Sequence, residues 1–311
     1  MITKQTRQES FGTITYEPNE DCFTLTSTQD MARLLPEKLS APLSMHWLVT
    51  LRCNARCPYC YALPSLLRPN DKEEILSESE VQSTMKQYAE ARIPRLYLTG
   101  GEPTLHPFLS RLVAAAYDNN IRCVVNTNGI KLSEGVYEAL VAYQSRISIS
   151  LDSYVREVHN TTRKQNSFDS IVALLKKAAQ DSLDVRIISV MQRDDEAYWL
   201  NFGRFLTQHG VGNWFIQAET SKNNLLQTEK LEAKLKQEFP EMHIRVLPAI
   251  FNSFMYMLPD GLIGSDIWTP QRVVYGRVPR DSIIEIWQKN EKNRVQDHQG
   301  ILHINTLGDL K

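Results

Sequence analysis

The 311-residue chain has no apolar run approaching the roughly 20 residues that span a bilayer, so no transmembrane helix is expected. Residues 1–10 lack the apolar stretch of a secretory signal, and the expectation is a soluble, cytoplasmic protein. An excess of one charge is missing too. Lys plus Arg number 35 against 36 Asp plus Glu, a formal net charge of -1, which gives no general electrostatic reason to bind nucleic acid or an anionic membrane. Cysteine is scarce and odd in number: five in all, three of them within eight residues. That layout excludes a disulfide framework and suits metal in a reducing compartment. Cys22 and Cys123 are left over and read as reduced, small apolar side chains. There is no low-complexity tract, no repeat of solenoid period and no cysteine after Cys123.

What the chain does have is a change of rhythm. Residues 11–26 alternate weakly around the turn-rich stretch 17–21 and predict a β-hairpin ahead of the core. From residue 46 short apolar runs alternate with helix-like stretches. The predicted strands are 46–51, 95–98, 122–125, 147–151, 185–190 and 214–217, and the predicted helices 78–92, 107–119, 133–143, 168–181 and 194–209. Such β-then-α repetition argues for a parallel sheet of right-handed βαβ units, either doubly wound or partly or wholly closed as a barrel. Beyond residue 220 a charged helix-like stretch, 221–238, precedes a hairpin signalled by Pro259-Asp260-Gly261. The expected divisions are an N-terminal extension over 1–44, a core over 45–220 and a small α+β extension over 221–311. The first of these should pack on the core, because about 40 residues rarely bury enough apolar surface to stand alone.

Directly after the first core strand stand Cys53, Cys57 and Cys60, in the spacing Cys-x3-Cys-x2-Cys. Three thiolates on one short loop can converge on one metal centre. Iron-sulfur cubanes usually take four cysteines, so three leave one iron open to another ligand. The alternative is a zinc knuckle, which needs a fourth Cys or His; no obvious fourth cysteine exists, and His46 and His106 could be recruited by the fold. One βα unit later comes Thr99-Gly100-Gly101-Glu102-Pro103, whose glycines would let backbone approach a ligand and whose carbonyls can accept from an ammonium. The next strands end in polar clusters containing Asn126 and Asn128, then Ser150 and Asp152, where α/β folds place ligands.

With Tyr59 just before the last cysteine, these motifs resemble the radical S-adenosylmethionine (radical SAM) superfamily over residues 45–220. The resemblance implies an α/β fold, a partial (βα)6 barrel, with one 4Fe-4S cluster on Cys53, Cys57 and Cys60. It also implies reductive cleavage of S-adenosylmethionine to a 5'-deoxyadenosyl radical, which abstracts hydrogen from a substrate C–H bond. The cofactor would be bound by Tyr59, Thr99, Gly100, Gly101, Glu102, Asn126, Asn128, Ser150 and Asp152 and by Arg163 at its carboxylate, while Met191 could contact its adenine or the substrate. For Arg163 the alternative is an exposed side chain ahead of a helix capped by Ser167, and for Met191 it is core packing.

The segments 11–16 and 41–43 and the C-terminal extension resemble SPASM or twitch-type maturases of ribosomally made precursor peptides, yet the auxiliary-cluster cysteines are missing. A precursor peptide is therefore the expected substrate, with a small molecule (nucleotide, sugar or amino acid) as the alternative and flavodoxin or ferredoxin as the reductant. The C-terminal hairpin, with Phe254, Tyr256, Trp268 and Trp287, is expected to be a lid or platform without iron. A non-enzymatic electron carrier or sensor is the remaining reading, and it would have no use for the segment Thr99-Gly100-Gly101-Glu102-Pro103, which the resemblance makes the binding loop for the cofactor's methionine amino group.

Overall fold

The computed structural model describes residues 1–19, 21–27, 39–60, 62–191, 193, 195–218, 225–247, 255–265 and 273–289. Phe254 and Trp268 lie outside these residues. The N-terminal unit is an antiparallel meander of β1 (Gln5–Glu9), β2 (Gly12–Glu17) and β3 (Cys22–Ser27). The predicted hairpin is β2–β3, with its turn where expected. β1 escapes an apolar reading because its inward face is Arg7 and Glu9, buried and bonded to each other at 2.6 Å. Arg7 also donates to the carbonyls of Ala41 and Pro42, which fastens the meander to the core.

Six parallel strands follow in the predicted places: β4 (Ser44–Thr50), β5 (Arg95–Gly100), β6 (Arg122–Thr127), β7 (Arg146–Ser150), β8 (Asp184–Met191) and β9 (Asn213–Ala218). The helices between them are α1 (Glu78–Glu90), α2 (Leu109–Asp118), α3 (Glu134–Ala142), α4 (Arg156–Arg163), α5 (Phe168–Gln180) and α6 (Glu196–Gln208). Local chemistry sets their starts: Ser77 and Glu80 form a capping box on α1, and the Asp195 carboxylate accepts from Tyr198 N on α6. α4 was not foreseen, because its buried side chains are His159 and Arg163 and it carries no apolar stripe.

The sheet runs past the six strands on both sides. α7 (Leu225–Glu238) leads to β10 (His243–Leu247), parallel to β9, while β11 (Met255–Met257) lies parallel to β4. β12 (Leu262–Ser265) and β13 (Val273–Arg277) continue antiparallel, and α8 (Ile283–Lys289) closes the described chain. The order is β10-β9-β8-β7-β6-β5-β4-β11-β12-β13. Pro259-Asp260-Gly261 makes the β11–β12 turn as predicted, and that hairpin extends the barrel sheet beside β4.

The two faces of the strands differ. Trp47, Leu98, Val125, Ile147, Ile187 and Trp214 pack outward with Met85, Leu112, Leu140, Ile171 and Phe202 of the helices in one apolar core. Their strand neighbours alternate inward, and these include Tyr97, Asn126, Arg146, Ser148 and Arg186, a polar inner wall. At its N-terminal end that wall is plugged by Asp21, from the β2–β3 turn. The Asp21 carboxylate pairs with Arg95 at 3.2 Å, with Arg146 more closely and with Arg186 at 3.4 Å, and it accepts from Tyr16 Oη at 2.7 Å. Asp184 takes Arg122 at 2.5 Å and Arg146 at 2.8 Å.

Candidate active site

The three cysteines follow β4 on a loop whose root is tightly held. Glu73 accepts from Thr50 Oγ1 at 2.5 Å and from Leu51 N. Arg56 reaches back to the carbonyls of Cys53 (2.9 Å), Ala55 (2.8 Å) and Leu67 (3.0 Å), and Cys53 N donates to Leu67 O. The loop therefore closes on itself. Cys53, Cys57 and Cys60 share one apolar patch with Ala55, Tyr59, Leu66 and Ile130. Burial pushes the Cys53 thiol up to about 11, and the neighbouring Glu102, Cys57 and Cys60 charges add to the rise; burial also raises Cys60.

Such surroundings disfavour isolated thiolates and suit ones neutralised by iron. Among the described residues no three His, Cys, Asp or Glu side chains are grouped around one point as they would be about a single metal ion. Three thiols of one loop in one patch supply the donor set of a cubane that leaves one iron open to another ligand. The residues present fit the implied cluster.

The glycine segment does something more specific than expected. Gly101 N donates to Thr50 O and Glu102 N to Arg52 O, both at 2.8 Å, so the segment is laced to the root of the cysteine loop. A Cβ on Gly101 would collide with the Arg52 carbonyl, and one on Gly100, at φ +129°, with the Thr50 carbonyl. The close approach that these glycines permit is thus to neighbouring backbone. Gly101→Ala is expected to lower the unfolding free energy by about 2 kcal/mol, the usual scale of overpacking, and with it the urea midpoint; an unchanged midpoint would show that the loop shifts freely.

Glu102 is wholly buried and acts as a hub. Its carboxylate accepts from Thr127 Oγ1 and Asn128 N at 2.7 Å, from Thr104 Oγ1 at 2.8 Å and from Thr104 N at 3.1 Å. Burial raises its pKa and these bonds oppose the rise. Glu102 therefore joins the ends of β5 and β6, and its role is to position them. Asn128 Nδ2 donates to Asn54 Oδ1 at 2.8 Å and Gln165 Nε2 to Asn54 O at 2.9 Å, which ties the cysteine loop to β6 and to the α4–α5 connection.

Tyr59, Asp152 and Arg163 form a buried triad in the same wall. Tyr59 Oη donates to Asp152 Oδ2, and Arg163 Nη1 lies 3.0 Å from that oxygen and 2.8 Å from the phenol. Asp152 Oδ1 accepts from Val190 N at 2.9 Å. Burial disfavours the charged guanidinium, yet the Asp152 carboxylate raises the Arg163 pKa and keeps it cationic; burial and the same charge raise Tyr59. The exposed alternative for Arg163 is thereby corrected. So is the Ser167 cap: the side-chain acceptor for Ser167 N and Phe168 N is Asn160 Oδ1, at 3.1 Å each, while Ser167 Oγ meets His159 Nε2 at 2.9 Å.

Thr99, Asn126 and Ser150 line the inner wall, half-buried near the C-terminal strand ends, and Asn126 Oδ1 has no hydrogen-bond partner. Met191 sits at the end of β8 and packs against the outer core. Asn54, Glu73 and Gln165 were missed. They are single polar residues in loops, and no spacing announces them.

The sequence matches the Radical SAM superfamily over residues 47–206, just over half of the chain. GTP 3',8-cyclase of Staphylococcus carnosus (strain TM300) is 28% identical over 238 residues, covering 68% of this chain and 69% of that protein. Mycofactocin maturase MftC of Mycobacterium tuberculosis (strain CDC 1551 / Oshkosh) is 28% identical over 175 residues, covering 56% of this chain and 44% of the maturase. The chain also spans 62% of GTP 3',8-cyclase 1 of the same strain. Among solved structures, Streptococcus suis SuiB bound to precursor peptide SuiA superposes with a TM-score of 0.76 at 12% identity, over 93% of this chain and 88% of that one. SuiB bound to S-adenosylmethionine gives 0.67 at 14% identity over 80% of this chain and 64% of that one. These structural likenesses establish the fold. The superfamily's cofactors are a 4Fe-4S cluster and S-adenosylmethionine, for which the clustered thiols of one loop and the polar strand ends beside them are suited, and the chain belongs to the radical SAM superfamily.

Proposed function

We propose that this protein is an enzyme that abstracts hydrogen from a substrate C–H bond inside its barrel, the substrate being a ribosomally made precursor peptide. The observation that carries the enzymatic reading is the lacing of Gly101 and Glu102 onto Thr50 and Arg52, at the root of the loop that bears the thiols. An electron carrier needs no such junction. Cys53, Cys57 and Cys60 would hold the cluster, and Gly100, Gly101, Asn126, Asn128, Ser150, Asp152 and Arg163 would receive the cofactor. When bound, the two supply a 5'-deoxyadenosyl radical at the end of an electron transfer from a reductant such as flavodoxin or ferredoxin.

The chain's own contribution is placement. Arg163, held by Asp152 and Tyr59, offers its guanidinium to a carboxylate; Glu102 keeps two strand ends together; the plug at Asp21 closes the barrel away from the thiols. The peptide reading is supported by the likeness to peptide-bound SuiB, which extends over 93% of this chain. A small-molecule reading is favoured by the buried polar inner wall and by the relation to GTP 3',8-cyclase. Among the described residues no helix is long and apolar enough to cross a membrane, and a reducing cytoplasm suits the thiols.

Anaerobically reduced protein supplied with S-adenosylmethionine is expected to release 5'-deoxyadenosine, read by mass spectrometry, and to release more when the right peptide encoded beside the gene is added. No 5'-deoxyadenosine from cluster-loaded protein would overturn the proposal. Turnover stimulated by small molecules and by none of the peptides would move the substrate to the second reading.

A further inference from the structure

Deeper in the barrel lies a row that none of the cofactor assignments uses beyond Asn126. Asn126, Ser148 and Arg186 are successive register partners on β6, β7 and β8. They face away from the outer core, in which the adjoining Val125, Ile147 and Ile187 are packed. Ser148 is 1% exposed and its hydroxyl has no hydrogen-bond partner. Arg186 is 3% exposed, and its Nε also lacks a partner.

The charge on Arg186 is poorly met. Asp21 is its carboxylate partner at 3.4 Å, while Asp21 also serves Arg95 at 3.2 Å and Arg146 more closely. One carboxylate is thus divided among three guanidiniums. The ring of Phe215 lies 4.1 Å from the Arg186 guanidinium carbon and covers one of its faces. Buried donors are nearly always paired, so an unmet hydroxyl and an unmet guanidinium N–H on neighbouring strands of an inner wall mark a place where something else binds.

From these groups we infer that Ser148 and Arg186 form an anion-receiving subsite, so that the molecule processed in this barrel carries a carboxylate or phosphate directed toward the arginine-lined floor. Arg186 supplies charge and a fixed N–H, Ser148 a rotatable O–H, and the two together suit an oxyanion better than a neutral amide. This rests on the proposed function only in that the anion belongs to the substrate; the subsite itself needs neither cluster nor cofactor. A phosphorylated small molecule and an acidic peptide side chain would present the same chemistry from different sources.

The test is thermal melting of the full chain, reconstituted anaerobically, against inorganic phosphate or acetate at ionic strength held constant with chloride. A saturable rise in melting temperature with phosphate supports the subsite and a phosphorylated substrate; a rise with acetate alone supports it and a carboxylate. Ser148→Ala is expected to weaken the response about tenfold, the worth of a hydrogen bond to a charged group. Without anion its melting temperature should be unchanged or higher, because an unmet hydroxyl is removed. No saturable rise with either anion, or a rise that Ser148→Ala leaves intact, overturns the inference and leaves water as the occupant. The same wild-type preparation is assayed for 5'-deoxyadenosine. Its absence refutes the proposed function, whereas its presence without an anion response refutes the subsite alone.

Discussion

Cys57→Ala is expected to lose both its iron and its cleavage of S-adenosylmethionine, with 5'-deoxyadenosine falling to the background of protein without iron. The reason lies in the loop. Cys57 is buried in a patch of apolar side chains with Cys53 and Cys60, and no neighbouring acid or imidazole completes a three-ligand set among the described residues. Two thiols do not retain a cubane whose site supplies three. Wild-type protein should hold about four irons per chain. A second cluster would need several further thiolates. Of the two remaining cysteines, Cys123 is packed in the outer core and Cys22 is buried in the N-terminal meander as the strand partner of Glu17. Iron and sulfide analysis reads both expectations: about eight irons in wild-type protein would disprove the single cluster, and full cleavage by Cys57→Ala would disprove the ligand assignment.

The largest stability effect should come from the barrel floor. Asp21→Asn keeps the shape and removes the charge that Arg95, Arg146 and Arg186 share, so buried guanidiniums lose their counter-ion. Breaking such a set from one side costs about 3–5 kcal/mol. Burial by itself would raise the Asp21 carboxyl, but Arg95, Arg146, Arg186 and Arg122 together outweigh it and hold the group well below the usual carboxylate range. A depressed folded-state pKa contributes stability that is complete above the unfolded value, near 4, and is lost as pH falls below it. Wild-type protein should therefore weaken steeply in acid below about pH 4, and Asp21→Asn, weaker at neutral pH, should show a shallower acid dependence. Urea midpoints across this range measure both. Equal midpoints for the two proteins at pH 7 would mean that the plug contributes nothing.

How much of this could be read beforehand follows the physics of each segment. The six core strands and their helices were legible because their outward faces are apolar and periodic, as in Ile171, Leu175 and Ala178 of α5. The cysteine loop was legible because thiols are rare and their spacing is local. β1 and α4 were not, since what they bury is charge: Arg7 with Glu9 in one, His159 and Arg163 in the other. Burial of that kind is decided by partners far along the chain, such as Asp152 for Arg163, and leaves no period in the sequence. Glu102 shows the same limit within the site. Its neighbours marked it as cofactor-facing, whereas four hydrogen bonds turn its carboxylate toward Thr104, Thr127 and Asn128.

The division of the strands into an apolar outer face and a polar inner wall separates two kinds of inheritance. Val125, Ile147 and Ile187 hold the sheet to its helices, and changes there would be felt by the whole fold. Tyr97, Asn126 and Ser148, one position away on the same strands, face the barrel's interior and carry little of that burden. A lineage that keeps the charged floor of Asp21 and its arginines can therefore exchange such uncharged inner-wall residues one at a time and acquire a new substrate while the scaffold stays folded. Relatives that share this outer face but differ within should part company in what they act upon long before they part company in shape.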